Sequence, residues 1–244
     1  MITYATEDQK QNVITLWKTA FPEDSDEFVN FYFEEKYHNE DTLLYFKDGK
    51  IVSSLQMLPY KMTYCEKRIK IAYVSGAATL PECQNQGLMR ALLTHAFKEM
   101  KKRGEILTLL IPQEAWLVNF YQKSGYTSCF EHLSTPVYDG TSCFSAIFAF
   151  LELDDTHIKE VMARIVDVEK VLQIYASFYN QLKISIKVQD NQVVENNGIF
   201  CLFNGKCSRK QDVYFDMELN INHLTQLLLG NPSADSRLKS FQIG

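Results

Sequence analysis

Apolar positions change their period several times along this chain, and each change marks an element. Ile2-Thr3-Tyr4-Ala5 reads as a short strand. Thr6-Glu7-Asp8 then reads as a helix start, with Thr6 at the N-cap and acids in the first turn. Val13, Leu16, Trp17 and Ala20 follow at helical spacing until Pro22. A second helix is predicted from about residue 24–26 through Phe28, Phe31, Tyr32 and Glu35. Residues 42–46 and 51–58 read as strands about the turn Lys47-Asp48-Gly49-Lys50, and residues 60–65 and 69–80 as a second pair about Glu66-Lys67.

From about residue 85 the period returns to that of a helix, with Met89, Leu93, Ala96 and Met100 on one stripe and Leu88 and Leu92 beside it. Lys101-Lys102-Arg103 and Gly104 suit its C-terminus. Residues 105–111 form a buried strand ended by Pro112, residues 114–123 a short amphipathic helix, and Ser124-Gly125-Tyr126 a turn into another strand. Pro136, Asp139 and Gly140 mark a boundary, dividing the chain into domains 1–138 and 139–244. Beyond it lie an apolar run at 146–153, a helix or strand at 158–166 and a helix at 168–179. Leu182, Ile184, Ile186 and Val188 put a strand at 182–188. Strands at 192–194, 199–203 and 213–219 and an N-capped helix at 220–229 complete the pattern. The fold class is therefore α+β, a mixed α/β first unit with a strand–turn–helix centre and a smaller α+β second unit.

Composition changes this picture little. The 244 residues are 46% hydrophobic and 23% charged, as in ordinary globular proteins. The net charge of −5 lacks the basic footprint of a nucleic-acid partner. Six cysteines, Cys65, Cys83, Cys129, Cys143, Cys201 and Cys207, show no CxxC spacing and no histidine at ligand distance, so free thiols and no metal are expected. Residues 1–10 carry no apolar leader, and the longest apolar run, near 144–151, falls far short of the roughly 20 residues of a membrane span. A cytoplasmic protein with no membrane partner is expected.

The chemistry is concentrated between Val74 and Arg90. A strand ends there, the chain turns sharply, and a helix begins with Gly87 in its first turn, where a bulky ligand can approach the backbone. The first N–H groups of that helix lack internal partners, and the macrodipole adds positive character. This is a pyrophosphate site by its local physics, although an ordinary strand–helix junction shares the same features.

The segment Gln84-Asn85-Gln86-Gly87-Leu88-Met89 resembles the acetyl-CoA motif of the GCN5-related N-acetyltransferases (GNAT), Gln/Arg-x-x-Gly-x-Gly/Ala, departing only at Met89. The run Gly87-Leu88-Met89-Arg90-Ala91-Leu92-Leu93 is similar to the branch that includes the enhanced intracellular survival protein. Residues 75–80 resemble the family's fourth strand, and Phe120-Tyr121-Gln122-Lys123-Ser124-Gly125-Tyr126 its Phe-Tyr-x-x-x-Gly-Phe/Tyr segment. From about residue 160 the chain resembles the sterol-carrier-protein-like domain that closes longer members of that branch, without room for the second acetyltransferase-like domain they carry.

The resemblance implies a GNAT fold, with a central mixed, mostly antiparallel sheet flanked by helices. It implies acetyl-CoA as donor, held by Ala78, Thr79, Leu80, Gln84, Asn85, Gln86, Gly87, Leu88, Met89 and Arg90, and direct transfer to a primary amine of a small molecule or peptide. Tyr126 is implied as the group that protonates the departing thiolate, the alternative being a strand aromatic packed on the helix, and Tyr121 is its rival or a core residue. Glu114 is a candidate base or simply a helix N-terminal acid, and the C-terminal carboxylate of Gly244 is implied by the longer relatives. Cys83, beside the turn, is read as inert. The acids Glu23, Asp24, Asp26, Glu27, Glu34 and Glu35 suit a cationic acceptor or form a solvated face. The alternative is a non-catalytic CoA- or lipid-binding module, with Leu224, Leu227, Leu228 and Leu229 lining an apolar groove or packing in the core.

Overall fold

The helix starts written in the sequence are made by side chains that take up free backbone N–H groups. In the computed structural model, which describes residues 1–130 and 161–230, the Gln9 side chain accepts from the Thr6 N–H at 3.1 Å. Strand β1 (Ile2–Tyr4) precedes this turn and helix α1 (Lys10–Ala20) follows it. The Ser25 hydroxyl accepts from the Phe28 N–H at 3.2 Å and opens α2 (Asp26–Glu35). The apolar run at 146–153, the boundary at 138/139, Cys143 and Gly244 lie outside the described residues.

The chain divides into two compact units, Met1–Pro59 with Ala72–Met100, and Tyr60–Ile71 with Lys101–Gly244. Strands β1, β2 (Thr42–Lys47), β3 (Lys50–Tyr64) and β4 (Lys67–Thr79) lie in that order, part of a seven-stranded sheet, and belong to the first unit except for the hairpin end of β3 and β4 at Tyr60–Ile71. Asp48 and Gly49, and again Cys65 and Glu66, are paired left-handed residues. Such pairs make tight hairpin turns whose twist matches that of the strands. The two strands expected at 51–58 and 60–65 are therefore one strand, β3. Pro59 is exposed, and the loss of one donor does not end a strand flanked by the buried Met57, Leu58 and Tyr64. Helix α3 (Leu88–Arg103) buries Leu88, Leu92, Leu93, Ala96, Phe97 and Met100. Met89 is only half-buried, so the apolar stripe is rotated from the one expected. Trp17, Tyr32 and Phe33 form an aromatic cluster, and the Tyr32 hydroxyl bonds the Gln56 side chain and, at 3.0 Å, the Ser75 hydroxyl.

In the second unit β5 (Leu107–Leu110) is wholly buried and is followed by α4 (Ala115–Gln122) and β6 (Thr127–Phe130). The segment at 158–166, open between helix and strand, holds β7 (Val161–Ile165), which lies between β5 and β6 and runs antiparallel to both. Helix α5 (Val168–Phe178) is capped by Asp167, whose side chain accepts from the Lys170 N–H at 3.2 Å. A four-stranded sheet follows, with β8 (Lys183–Gln189), β9 (Gly198–Phe203), β10 (Lys206–Lys210) and β11 (Met217–Asn220) in the order β10-β9-β8-β11. Helix α6 (Ile221–Leu229) is capped by Asn220, whose side chain accepts from the His223 N–H at 2.9 Å. No helix among the described residues is long and apolar enough to cross a membrane.

Two expectations fail here for local reasons. Residues 192–194 are not a strand; they lead into a short 3₁₀ turn, Val194–Asn196, because the Asp190 carboxylate takes the N–H groups of Gln192 and Val193 at 3.0 and 3.1 Å. The alternation at 213–219 yields only β11, while Val213 and Tyr214 stay exposed.

Asp190 has a second role. Arg164 on β7 has no exposed surface, and its Nη2 donates to both Asp190 carboxylate oxygens at 3.0 and 2.8 Å. Asn196 adds a bond to the same carboxylate at 2.9 Å. Removing one partner of a buried pair strands the other charge. Asp190→Ala should therefore cost about 3–5 kcal/mol in denaturant unfolding. Asp190→Asn, which keeps most of the hydrogen bonds, should cost less.

Candidate functional site

In the first unit a 3₁₀ turn at Pro81–Cys83 leads into four exposed residues, Gln84, Asn85, Gln86 and Gly87, before α3. Cys83 and Leu88, one at each end of this stretch, pack with Val52 against Tyr45 and Leu80. The turn is thus pegged by apolar side chains while its middle remains open. Asn85 (φ +59°) and Gly87 (φ +77°) are both left-handed. A Cβ on Gly87 would meet nothing within 4 Å, so glycine is required by backbone conformation and the space above it is free. The Gly87 carbonyl accepts the Ala91 N–H at 3.0 Å and so begins the helix. The N–H groups of Leu88, Met89 and Arg90 then have no acceptor within the helix.

A cation joins this turn that sequence reasoning missed. Lys47, at the end of β2, donates to Gln86 Oε1 at 2.7 Å, and Gln86 Nε2 donates to the Glu82 carbonyl at 3.2 Å. No local motif marks Lys47; only the pairing of β2 with β3 carries it there. Arg90 is exposed, Met89 half-buried and Leu88 buried.

The end of β4 is partly committed. The buried Ser53 hydroxyl donates to the Ala78 carbonyl at 2.8 Å and lies 2.7 Å from Thr79 Oγ1. The Leu80 N–H donates to the Val52 carbonyl at 2.9 Å. Main-chain groups alternate in direction along a strand, so those of Thr79 point away from β3.

In the second unit α4 ends in a tight turn. The N–H groups of Ser124 and Tyr126 both donate to the Tyr121 carbonyl, at 2.9 and 3.1 Å, and that of Gly125 to the Gln122 carbonyl at 3.0 Å. Gly125 (φ +90°) accommodates close neighbours as well as the turn, since a Cβ there would lie 1.9 Å from Arg164 Nη1. Tyr126 is 0% exposed, its hydroxyl 3.2 Å from Thr108 Oγ1. Tyr121 packs edge-on against it and keeps 8% exposure. Burial pushes the Tyr121 hydroxyl up to about 12. Burial raises Tyr126 further, against the opposing pull of the Thr108 hydrogen bond and the Arg164 charge. Both phenols therefore hold a proton at neutral pH and are donors rather than bases.

The remaining expected residues are scattered. Glu114 is exposed at the N-cap of α4, with no capping bond from its side chain. Cys83 is buried in the apolar peg, and burial pushes the Cys129 thiol up to about 12. Asp24 accepts from Trp17 Nε1 at 2.8 Å and Asp26 pairs with Lys18 at 2.6 Å, so part of the acidic face is tied to α1. On α6, Leu224, Thr225 and Leu228 are buried and Thr225 accepts the Ile165 N–H at 3.2 Å. Leu224 and Leu228 are thus core positions, while Leu227 and Leu229 are half-buried.

Comparison with known proteins agrees with this architecture. The acetyltransferase (GNAT) domain family matches residues 1–129, and the sterol carrier protein domain family residues 168–241. No curated protein matches the sequence. Among solved structures, Eis1 from Mycobacterium abscessus superposes with a TM-score of 0.73 at 16% identity, over 99% of this chain and 92% of that one. A GCN5-related N-acetyltransferase from Kribbella flavida gives 0.69 at 13% identity, over 98% and 92%. One from Anabaena variabilis gives 0.69 at 15%, over 93% and 89%. The chain belongs to the GNAT family of acetyltransferases and carries a sterol-carrier-protein-like domain after its acetyltransferase domain. It is an acyltransferase.

The tyrosine environment has a pH signature. An unfolded tyrosine loses its proton near 10.0, while Tyr121 in the fold keeps its proton to about 12. Between these values the native state binds more protons than the unfolded one, so stability is intact below the lower value and falls as pH rises through the window. Urea unfolding followed across this range should show that decline, with a shallower slope for Tyr121→Phe.

Proposed function

We propose that the chain is an acetyl-CoA-dependent N-acetyltransferase that passes the acetyl group directly to a primary amine of a small molecule or peptide. The observation that carries this reading is the open, exposed turn at Gln84–Gly87, pegged from below and set on the N-terminus of α3 with Lys47 beside it. The pyrophosphate would rest on the N–H groups of Leu88, Met89 and Arg90, with the Lys47 ammonium opposing its charge. Of the β4 end, the Thr79 N–H is the main-chain group offered to the pantetheine arm, because Ala78 and Leu80 are bonded to β3 and the Thr79 carbonyl accepts from Gln84 Nε2 at 3.4 Å. A main-chain N–H there would polarise the thioester carbonyl. Attack by the amine nitrogen forms a tetrahedral intermediate; the C–S bond then breaks and the CoA thiolate takes a proton. Tyr121, which keeps some exposure, is the preferred donor of that proton, since Tyr126 is shut from solvent. Glu114 or the Gly244 carboxylate would accept the proton of the amine. On the same reading the domains divide at 138/139, with β7 returned to the acetyltransferase sheet, and the protein works in the cytoplasm.

Release of CoA thiol with a panel of polyamines, aminoglycosides and peptides tests the reading, and failure to bind acetyl-CoA in calorimetry overturns it. Gly87→Glu fills the open space with a like charge and should weaken acetyl-CoA binding at least about 100-fold. Lys47→Gln should weaken it by about 3- to 10-fold, less so at high salt. Tyr121→Phe should lower kcat more than it changes KM; if only Tyr126→Phe does so, the donor is Tyr126.

A further inference from the structure

The turn that carries both tyrosines is held by side chains that lie far along the chain. Asn222, the second residue of α6, donates from its Nδ2 to the Gln122 carbonyl at 2.9 Å and to the Tyr126 carbonyl at 2.7 Å. A side-chain amide has two N–H donors, and both are spent on this turn. Gln192 Nε2 reaches the Lys123 carbonyl at 3.4 Å. Arg164 Nη1 and Ile221 Cγ2 crowd Gly125, at 1.9 and 2.9 Å from where a Cβ would stand. Asn222, Gln192 and Ile221 all belong to the segment that matches the sterol carrier protein domain. The turn's own main-chain hydrogen bonds reach only from residues 124–126 back to 121 and 122, so the bonds from Asn222 and Gln192 are its long-range main-chain ties.

We propose that the sterol-carrier-like segment clamps the tyrosine turn, with Asn222 as a positioning residue for the proton donor. This rests on the acetyltransfer reading only for its effect on turnover; the clamp itself is a matter of geometry. Asn222 is half-buried on the first turn of a helix whose cap is a different residue, Asn220. Its replacement therefore leaves the helix start and the Arg164–Asp190 pair intact. Asn222→Ala removes both donors; Asn222→Asp replaces them by acceptors that face two carbonyl oxygens.

The experiment measures kcat, KM for acetyl-CoA, thermal midpoint and amide hydrogen exchange of the full chain and these two variants. The clamp predicts that kcat falls about 10-fold or more, because small misplacements of a reacting group are expensive. It predicts KM for acetyl-CoA within about 2-fold of the parent, the pattern of a lost transition-state interaction. Exchange at Ser124, Gly125 and Tyr126 should quicken while that of α5 and β8 does not, with Asn222→Asp the more severe variant. Unchanged exchange at the turn overturns the clamp. Activity lost only in proportion to unfolded protein also overturns it, since Asn222 would then be merely structural. If the parent chain binds acetyl-CoA but transfers to no acceptor, the acetyltransfer reading fails, and exchange alone decides whether Asn222 holds the turn.

Discussion

A guanidinium with no contact with water has to be answered by charge and hydrogen bonds at close range, and the second unit is organised around one such group. Arg164 gives two bonds from one nitrogen to Asp190, and Asp190 in turn collects Gln192, Val193 and Asn196. One ion pair thereby links β7, the end of β8 and the loop that leads to β9. Its other edge lies against Gly125, where no larger residue fits. A buried pair of this kind adds little net stability over apolar packing but makes alternative arrangements costly. What it does here is fix where a loop and a turn must lie.

The first unit solves an opposite problem. Its candidate cofactor turn is exposed along residues 84–87 and is not covered by packing from above. The stabilisation comes from beneath, through Cys83, Leu88 and Val52, while the polar residues between them face outward. The backbone holds a left-handed residue at 85 and another at 87, and the unpaired N–H groups of the helix start are left for a ligand. Rigidity below and vacancy above are what a site for a pyrophosphate requires.

Much of this was legible in the sequence because it is local. Asn220 announces its helix three residues ahead of the bond it makes, and Gly49 marks a hairpin by its backbone freedom. The Gln84–Met89 motif and the Phe120–Tyr126 segment lie where local reasoning puts them, one on a helix start and one on a helix end. What was missed depends on distant partners. Lys47 reaches the turn only through strand pairing, and Asp190 turns an expected strand into a 3₁₀ turn through side-chain bonds. Periodicity describes which face is apolar but not which groups meet across it.

The placement of β7 has a consequence for how the molecule comes into being. Residues 161–165 fill the gap between β5 and β6, two strands made much earlier in the chain. The stretch that matches the acetyltransferase family ends at residue 129 and so stops before β7, the strand that lies between β5 and β6. A nascent chain of that length exposes the edges of β5 and β6 to each other and to any passing strand. Completing this part of the sheet needs a segment from beyond the matched stretch, and such long-range pairing is the kind that slows folding.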